Sequence, residues 1–376
     1  MLGAWQSSLV AAAALWMVFG EVGDAAPPLS RKAALGKRLF NELKLSEPDG
    51  QSCASCHSPS FGFTDPDQNL PVSEGAISGR FGSRSAPSAA YASFSPPLFY
   101  NPDEATYVGG QFWDGRADDL VLQAQRPFLN PLEMHNANKS QVILGVLLSG
   151  NGLEFARVYG LRMFLPRNTD AAFVSIADAI AAFEQSAEVN QFTSKLDFHL
   201  KGQAQLTAEE ALGKDLFNNK AGCANCHTDF VVSDEPGPLF TDFTYHNLGI
   251  PKNFNNPFLS LPAELNPDGV DFIDVGLAKT VAAFDPPGAA AERGKFKTPT
   301  LRNVAVSAPY GHNGFFATLK DIVHFYNTRD VPSAGWGAPE VPENVNQADL
   351  GDLGLTEAEE DALVAFLLTL TDGYQP

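Results

Sequence analysis

The 376-residue chain is short of positive charge, of sulfur and of tryptophan. Its 25 Lys and Arg stand against 44 Asp and Glu, a formal charge of −19 at pH 7, so a phosphate backbone is repelled and nucleic-acid binding is excluded. No run of about 20 apolar residues occurs, so no membrane span is expected in the mature chain. Charged residues reach only 18% and hydrophobic ones 44%, too few charges for a disordered or coiled-coil chain and enough apolar side chain for sizeable cores. At roughly 150 residues per domain the length predicts two lobes. The aromatic balance, 28 Phe against 8 Tyr and 4 Trp, favours dry packing around something flat and apolar.

Residues 9–20 form an apolar run of twelve followed by Gly23, Asp24 and Ala25, the outline of a secretory signal peptide. No Lys or Arg precedes Arg31, so the usual basic start is missing and an uncleaved anchor is the alternative. The expectation is a signal segment over 1–25 and export to the periplasm.

Only four cysteines are present, and they occur as Cys53-Ala54-Ser55-Cys56-His57 and Cys223-Ala224-Asn225-Cys226-His227. The C-x-x-C-H spacing lets two thiols reach the two vinyl groups of one porphyrin while the adjacent imidazole, His57 or His227, turns to the iron. A redox dithiol does not need the histidine, and zinc wants further ligands at tight spacing. Two covalent c-type haems are therefore expected, and their propionates make the protein more acidic still. A redox partner docking by charge would be basic.

Ala34-Leu35-Gly36-Lys37-Arg38-Leu39-Phe40-Asn41 precedes the first haem motif and Ala211-Leu212-Gly213-Lys214-Asp215-Leu216-Phe217-Asn218 the second, identical at seven of eight positions. Asp114-Gly115 with Leu120 likewise matches Asn313-Gly314 with Leu319, so the chain reads as a tandem duplication. Periodicity predicts helices over 31–42, 117–126, 139–150, 171–187, 208–218, 318–327 and 357–370, with capping boxes at Thr207/Glu210 and Thr356/Glu359. Between them run long loops, 59–112 and 228–300, without strand alternation. The expected fold is mainly α, two cytochrome c-like haem lobes with long irregular loops: an N-terminal domain over 26–195 and a C-terminal domain over 196–376.

The repeat places Pro127 and Tyr326 in one slot, seven residues beyond the matched leucines. If that slot faces the iron, Tyr326 closes the second haem through its phenolate and Pro127, with no ligating atom, leaves the first haem open to peroxide. His324 is the rival ligand, since no methionine follows Met163. Near Pro127, Glu133 could carry a proton between the oxygens of bound peroxide and Gln123 could hydrogen-bond there. Both are equally readable as ordinary helix-surface residues. Trp113, one of two tryptophans outside the signal segment, is either core or an electron relay between the haems.

These residues resemble the bacterial di-haem cytochrome c peroxidase family, and within it the MauG/MbnH-like branch. The resemblance runs from Ala34 to the Leu363-Val364-Ala365-Phe366-Leu367 segment and rests on several motifs. They are Gly110-Gln111-Phe112-Trp113-Asp114-Gly115-Arg116, Asn130-Pro131-Leu132-Glu133-Met134, Tyr245-His246-Asn247, Phe296-Lys297-Thr298-Pro299-Thr300-Leu301-Arg302-Asn303, Ala308-Pro309-Tyr310-Gly311-His312-Asn313-Gly314 and Phe325-Tyr326-Asn327. It implies an active-site pair at Glu133 and Gln123, a between-haem relay at Trp113, and tyrosine ligation by Tyr326 where ordinary members use Met. Ordinary members also often close the peroxidatic haem with a loop His, and no His occurs from Ser58 to Met134. The branch reacts with hydrogen peroxide in the diferric state, reaches a shared two-Fe(IV) state and oxidises a side chain of a partner protein. The family also implies a calcium between the haems, held by the carbonyls of Ser307 and Pro309 and by an Asn whose position matches Ser85. The exit-relay tryptophan of MauG matches Ala221, so methylamine dehydrogenase maturation is not implied, whereas oxidation of a partner's tryptophan, as by MbnH-like enzymes, is. The alternatives are a detoxifying peroxidase fed by a small cytochrome or cupredoxin, and a simple electron carrier, which Pro127 disfavours.

Overall fold

A computed structural model describes residues 27–231 and 235–376; the expected signal segment, 1–25, lies outside the described residues. Within them the helices are α1 Arg31–Phe40, α2 Cys53–Cys56, α3 Leu120–Leu129, α4 Lys139–Leu148, α5 Gly152–Tyr159, α6 Thr169–Glu184, α7 Lys195–Leu200, α8 Ala208–Asn218, α9 Ala278–Val281, α10 Leu319–Thr328 and α11 Glu357–Leu368. Strands β1 Phe99–Asn101 and β2 Thr106–Val108 pair antiparallel, as do β3 Tyr245–His246 and β4 Phe296–Lys297. The fold is mainly α. The four strands lie in segments that the sequence predicts to be strandless, because two or three residues are too few to display a period of two. No single helix among the described residues is long and apolar enough to cross a membrane.

All seven predicted helices form, α8 with the predicted ends and the other six with ends shifted by a few residues. α3 starts at Leu120 rather than 117 because Asp119 caps it, its carboxylate accepting from the Leu122 N–H at 2.8 Å. It also continues through Pro127 to Leu129, since a proline in the last turn removes only the bond back to the Gln123 carbonyl. α2, α5, α7 and α9 are unpredicted: a glycine opens α5, α7 is six residues long, and α2 and α9 have four residues each.

Besides two smaller clusters around Tyr245 and Phe258, two large apolar clusters form most of the core. One joins Leu35 and Leu39 of α1 to Phe128 of α3 and Phe173, Ile176 and Ile180 of α6. The other joins Leu216 and Phe217 of α8 to Phe325 of α10 and Leu363 and Phe366 of α11. The repeated segment does the same job in both. A Cβ on Gly36 would lie 1.8 Å from the Ala179 carbonyl oxygen of α6, and one on Gly213 would lie 1.9 Å from the Ala362 carbonyl oxygen of α11. Only glycine allows those helices to touch backbone to backbone, and each so placed delivers the C-x-x-C-H segment that follows it.

Candidate functional site: two cavities with a tryptophan between them

The two histidines of the haem motifs are held in the same way. The His57 N–H donates to the Cys53 carbonyl and the His227 N–H to the Cys223 carbonyl, each at 2.9 Å. His57 Nδ1 lies 3.0 Å from the carbonyl oxygen of Phe63, and His227 Nδ1 lies 2.9 Å from that of Phe240. A carbonyl can only accept, so each Nδ1 carries the proton and each Nε2 keeps a free lone pair, as an iron ligand requires. Both acceptor residues have left-handed backbone, φ 59° at Phe63 and 55° at Phe240. Burial lowers the pKa of both imidazoles and keeps them neutral.

None of the four cysteines is in a disulfide. Burial pushes the thiols of Cys56, Cys223 and Cys226 up to about 12, and raises that of Cys53 as well. A redox or zinc-binding cysteine needs the opposite shift, whereas a thioether carries no charge and suits an apolar wall. Each Cys-Cys-His set also opens onto its own cavity, so the residues fit one covalent haem apiece.

The first cavity holds about 890 Å³ and is lined by Cys53, Cys56 and His57. Into it α3 turns Leu120, Gln123, Ala124 and Pro127, which share one helical face, and the following loop adds Glu133. Gln123, Pro127 and Glu133 are thus brought together around the same space as His57. Glu133 is half-buried; burial raises its pKa, against the pull of Arg116 and an Asn130 hydrogen bond. A second carboxyl, Glu184 of α6, lines this cavity with Oε2 unpartnered, and burial pushes its pKa up to about 8. The sequence analysis missed it, although Phe173, Ile176, Ile180 and Glu184 form one stripe and put an acid on the apolar face.

The second cavity consists of adjoining spaces of about 160 and 100 Å³ that share Cys223, His227 and Tyr326. Burial, reinforced by the two thiols, raises the Tyr326 pKa, and its hydroxyl has no hydrogen-bond partner among the described residues. The rival ligand points elsewhere: His324 Nδ1 is 2.8 Å from Glu360 Oε1, its side chain 46% exposed and outside both spaces.

Trp113 lines the first cavity and both spaces of the second. Its Nε1–H donates to the Ser85 carbonyl at 2.9 Å, and its own carbonyl accepts from the Lys297 N–H of β4 at 2.9 Å. The tight loop around it needs Gly115, with φ +67° and a would-be Cβ 2.4 Å from Tyr245 Oη. Beside it Arg84 joins Asp114 at 2.7 Å and Asp274 at 2.7 Å, and Arg116 reaches Asp114 at 2.8 Å. Burial alone would raise the Asp114 pKa; the two guanidinium groups outweigh it and hold the carboxylate ionised. Sequence analysis also missed this network, since Arg84 and Asp274 are far apart in the chain.

Ser85, Ser307 and Pro309 line one of the spaces beside Tyr326. The Ser85 hydroxyl donates to the Gly311 carbonyl at 3.0 Å.

Comparison with known proteins agrees with this geometry. The family model for di-haem cytochrome c peroxidase matches residues 30–205. The methylamine utilization protein MauG of Paracoccus denitrificans is 37% identical over 373 residues, covering 95% of this chain and 93% of that protein. The di-haem peroxidase BthA of Burkholderia thailandensis superposes with a TM-score of 0.81 at 35% identity, over 93% of this chain and 87% of that one. A MauG-like protein associated with microbial copper homeostasis gives 0.64 at 29% identity, over 95% and 96%. The chain belongs to the di-haem cytochrome c peroxidase family and is a hydrogen peroxide-dependent di-haem oxidoreductase.

Proposed function

We propose that this enzyme is an exported oxidase that removes electrons from a side chain, a tryptophan, of a partner protein. Residues 26–195 form the peroxide-reacting domain and 196–376 the electron-transfer domain. The observation that carries the reading is the contrast between the two cavities: the larger has Gln123, Pro127 and Glu133 around it, and the smaller has the unpartnered Tyr326 hydroxyl.

Cys53, Cys56 and His57 would hold the first haem, and Cys223, Cys226, His227 and Tyr326 the second. When bound, the haem pair supplies the iron that splits peroxide and stores its two oxidising equivalents. Pro127 offers no donor atom and so leaves room for the substrate. Glu133, on the wall of the larger cavity, would move a proton from one oxygen of hydrogen peroxide to the other, the transfer that lets the second leave as water. Gln123 orients the peroxide by hydrogen bonding. Trp113 passes electrons between the cavities. Ser85, Ser307 and Pro309 would hold a calcium ion through neutral oxygens alone, so its removal by a chelator is a direct check.

The test is titration of the diferric holoprotein with hydrogen peroxide, with no prior reduction, followed by Mössbauer spectroscopy. Change at both irons that persists until a protein substrate is added supports the proposal. An inert diferric protein that reacts only when half-reduced would instead indicate a peroxidase with a small cytochrome or cupredoxin donor.

A further inference from the structure

We propose that Trp336 is the surface electron donor of the second site, and that the uncharged loop around it is the face on which the protein substrate docks. This rests on the function proposed above. Trp113 lies between the cavities, and position 221, ahead of the second haem motif, is a buried alanine without redox chemistry. The described chain has one other tryptophan, Trp336, and it is half-buried, so part of the indole meets solvent.

Its position suits the task. α10 turns Leu319, Ile322, Val323 and Tyr326 into the second cavity. From its other side Phe325 meets the Trp336 ring at 5.2 Å between centroids and 84°, and Thr328 Oγ1 accepts from Trp336 Nε1 at 3.0 Å. Phe325 is the covalent neighbour of Tyr326. The indole is therefore one helix width, about 10 Å, from the cavity, with an aromatic ring and a short stretch of backbone between.

The proton count is simple. The Thr328 hydroxyl donates its own hydrogen bond to the His324 carbonyl at 2.6 Å, and neither group is a base that takes the indole proton. Oxidation of Trp336 thus removes an electron alone, and an electron from the partner restores it. Over one cycle hydrogen peroxide takes up two electrons and two protons and becomes two waters; the partner side chain gives up the two electrons singly, and the protons come from that side chain or from solvent.

The surroundings indicate the partner's chemistry. From Val331 to Pro339 there is no charged side chain, in a protein of formal charge −19. Pro332, Ser333, Gly335, Gly337 and Ala338 are exposed, and Pro251 pairs with Pro339 to brace the loop. The occupant is a protein presenting an oxidisable side chain within an uncharged, apolar contact face, which this loop accepts where the acidic remainder would impose a charge requirement.

The experiment treats the holoprotein with hydrogen peroxide in the absence of any partner and maps oxidation by peptide mass spectrometry. The expected result is oxygen addition concentrated on Trp336. In Trp336→Phe, with both haem spectra checked to show a folded protein, that addition is lost and the oxidised state decays about tenfold more slowly; Trp336→Tyr restores part of the rate. Peroxide consumption with Trp336 unmodified, or decay in Trp336→Phe at the wild-type rate, overturns this assignment alone. A diferric protein that does not react with peroxide removes both it and the function it rests on.

Discussion

Pro127 and Tyr326 are each the eighth residue of a ten-residue helix, α3 and α10, and each lines a different cavity. Two helices with matching caps, Asp119 and Thr318, thus present a side chain without a donor atom to one cavity and a phenol to the other. Replacing Tyr326 by Phe is expected to change the absorption and electron paramagnetic resonance of the second haem and leave the first unaltered. His324→Ala should change neither. An unaltered second haem in Tyr326→Phe would take away the ligand assignment.

If Glu133 carries the proton-transfer step as proposed, Glu133→Gln should slow the reaction with peroxide by about 10²- to 10⁴-fold with haem content unchanged. Stopped-flow mixing of the diferric protein with peroxide reads this directly. A rate within threefold, roughly the scatter of a residue with no part in proton transfer, would assign that transfer elsewhere.

Glu184 gives a pH signature. Its pKa is about 8 in the folded protein against 4.5 in the open chain, so the folded state holds the extra proton between those values. Stability from this group is greatest below pH about 4.5, falls as pH rises towards 8, and is flat above that. Glu184→Gln should remove the fall, leaving the holoprotein more stable than wild type near pH 8 by a few kcal/mol at most. Denaturant melts of the two proteins at several pH values check this; parallel curves would mean that Glu184 is already ionised.

Gly36→Ala and Gly213→Ala each force a methyl group onto a carbonyl less than 2 Å away. The helix pair α1/α6 or α8/α11 must separate, at a cost of about 1–3 kcal/mol or more. Thermal melts should show a clear drop for both, and the equivalent loss at two sites would show that the two helix pairs carry the same structural load.

Much of this protein is legible in its residues alone. The paired C-x-x-C-H segments announce two haems because the chemistry of attachment requires that spacing, and the Ala-Leu-Gly-Lys repeat announces a duplicated helix. Seven helices are visible from their apolar spacing or capping boxes, and in α1, α3 and α10 the apolar residues keep one clear stripe of helical period. The four short strands and the helices α2, α5, α7 and α9 are not, since none exceeds eight residues, too few for a period to stand out.

What the sequence determined by itself is chemical: the two C-x-x-C-H segments with the spacing that haem attachment needs, the slot that holds Pro127 or Tyr326, and the strong negative charge. What only the tertiary structure decided is proximity. It turned His324 away to Glu360 while leaving the Tyr326 hydroxyl facing a cavity, set Trp113 against both cavities, buried Glu184 beside the first haem motif, and drew Arg84, Asp114 and Asp274 into one cluster. The physical reason is that a local pattern reports a residue's own helix face, whereas burial, pairing and pKa depend on segments up to 281 positions apart that meet only when the chain closes on itself.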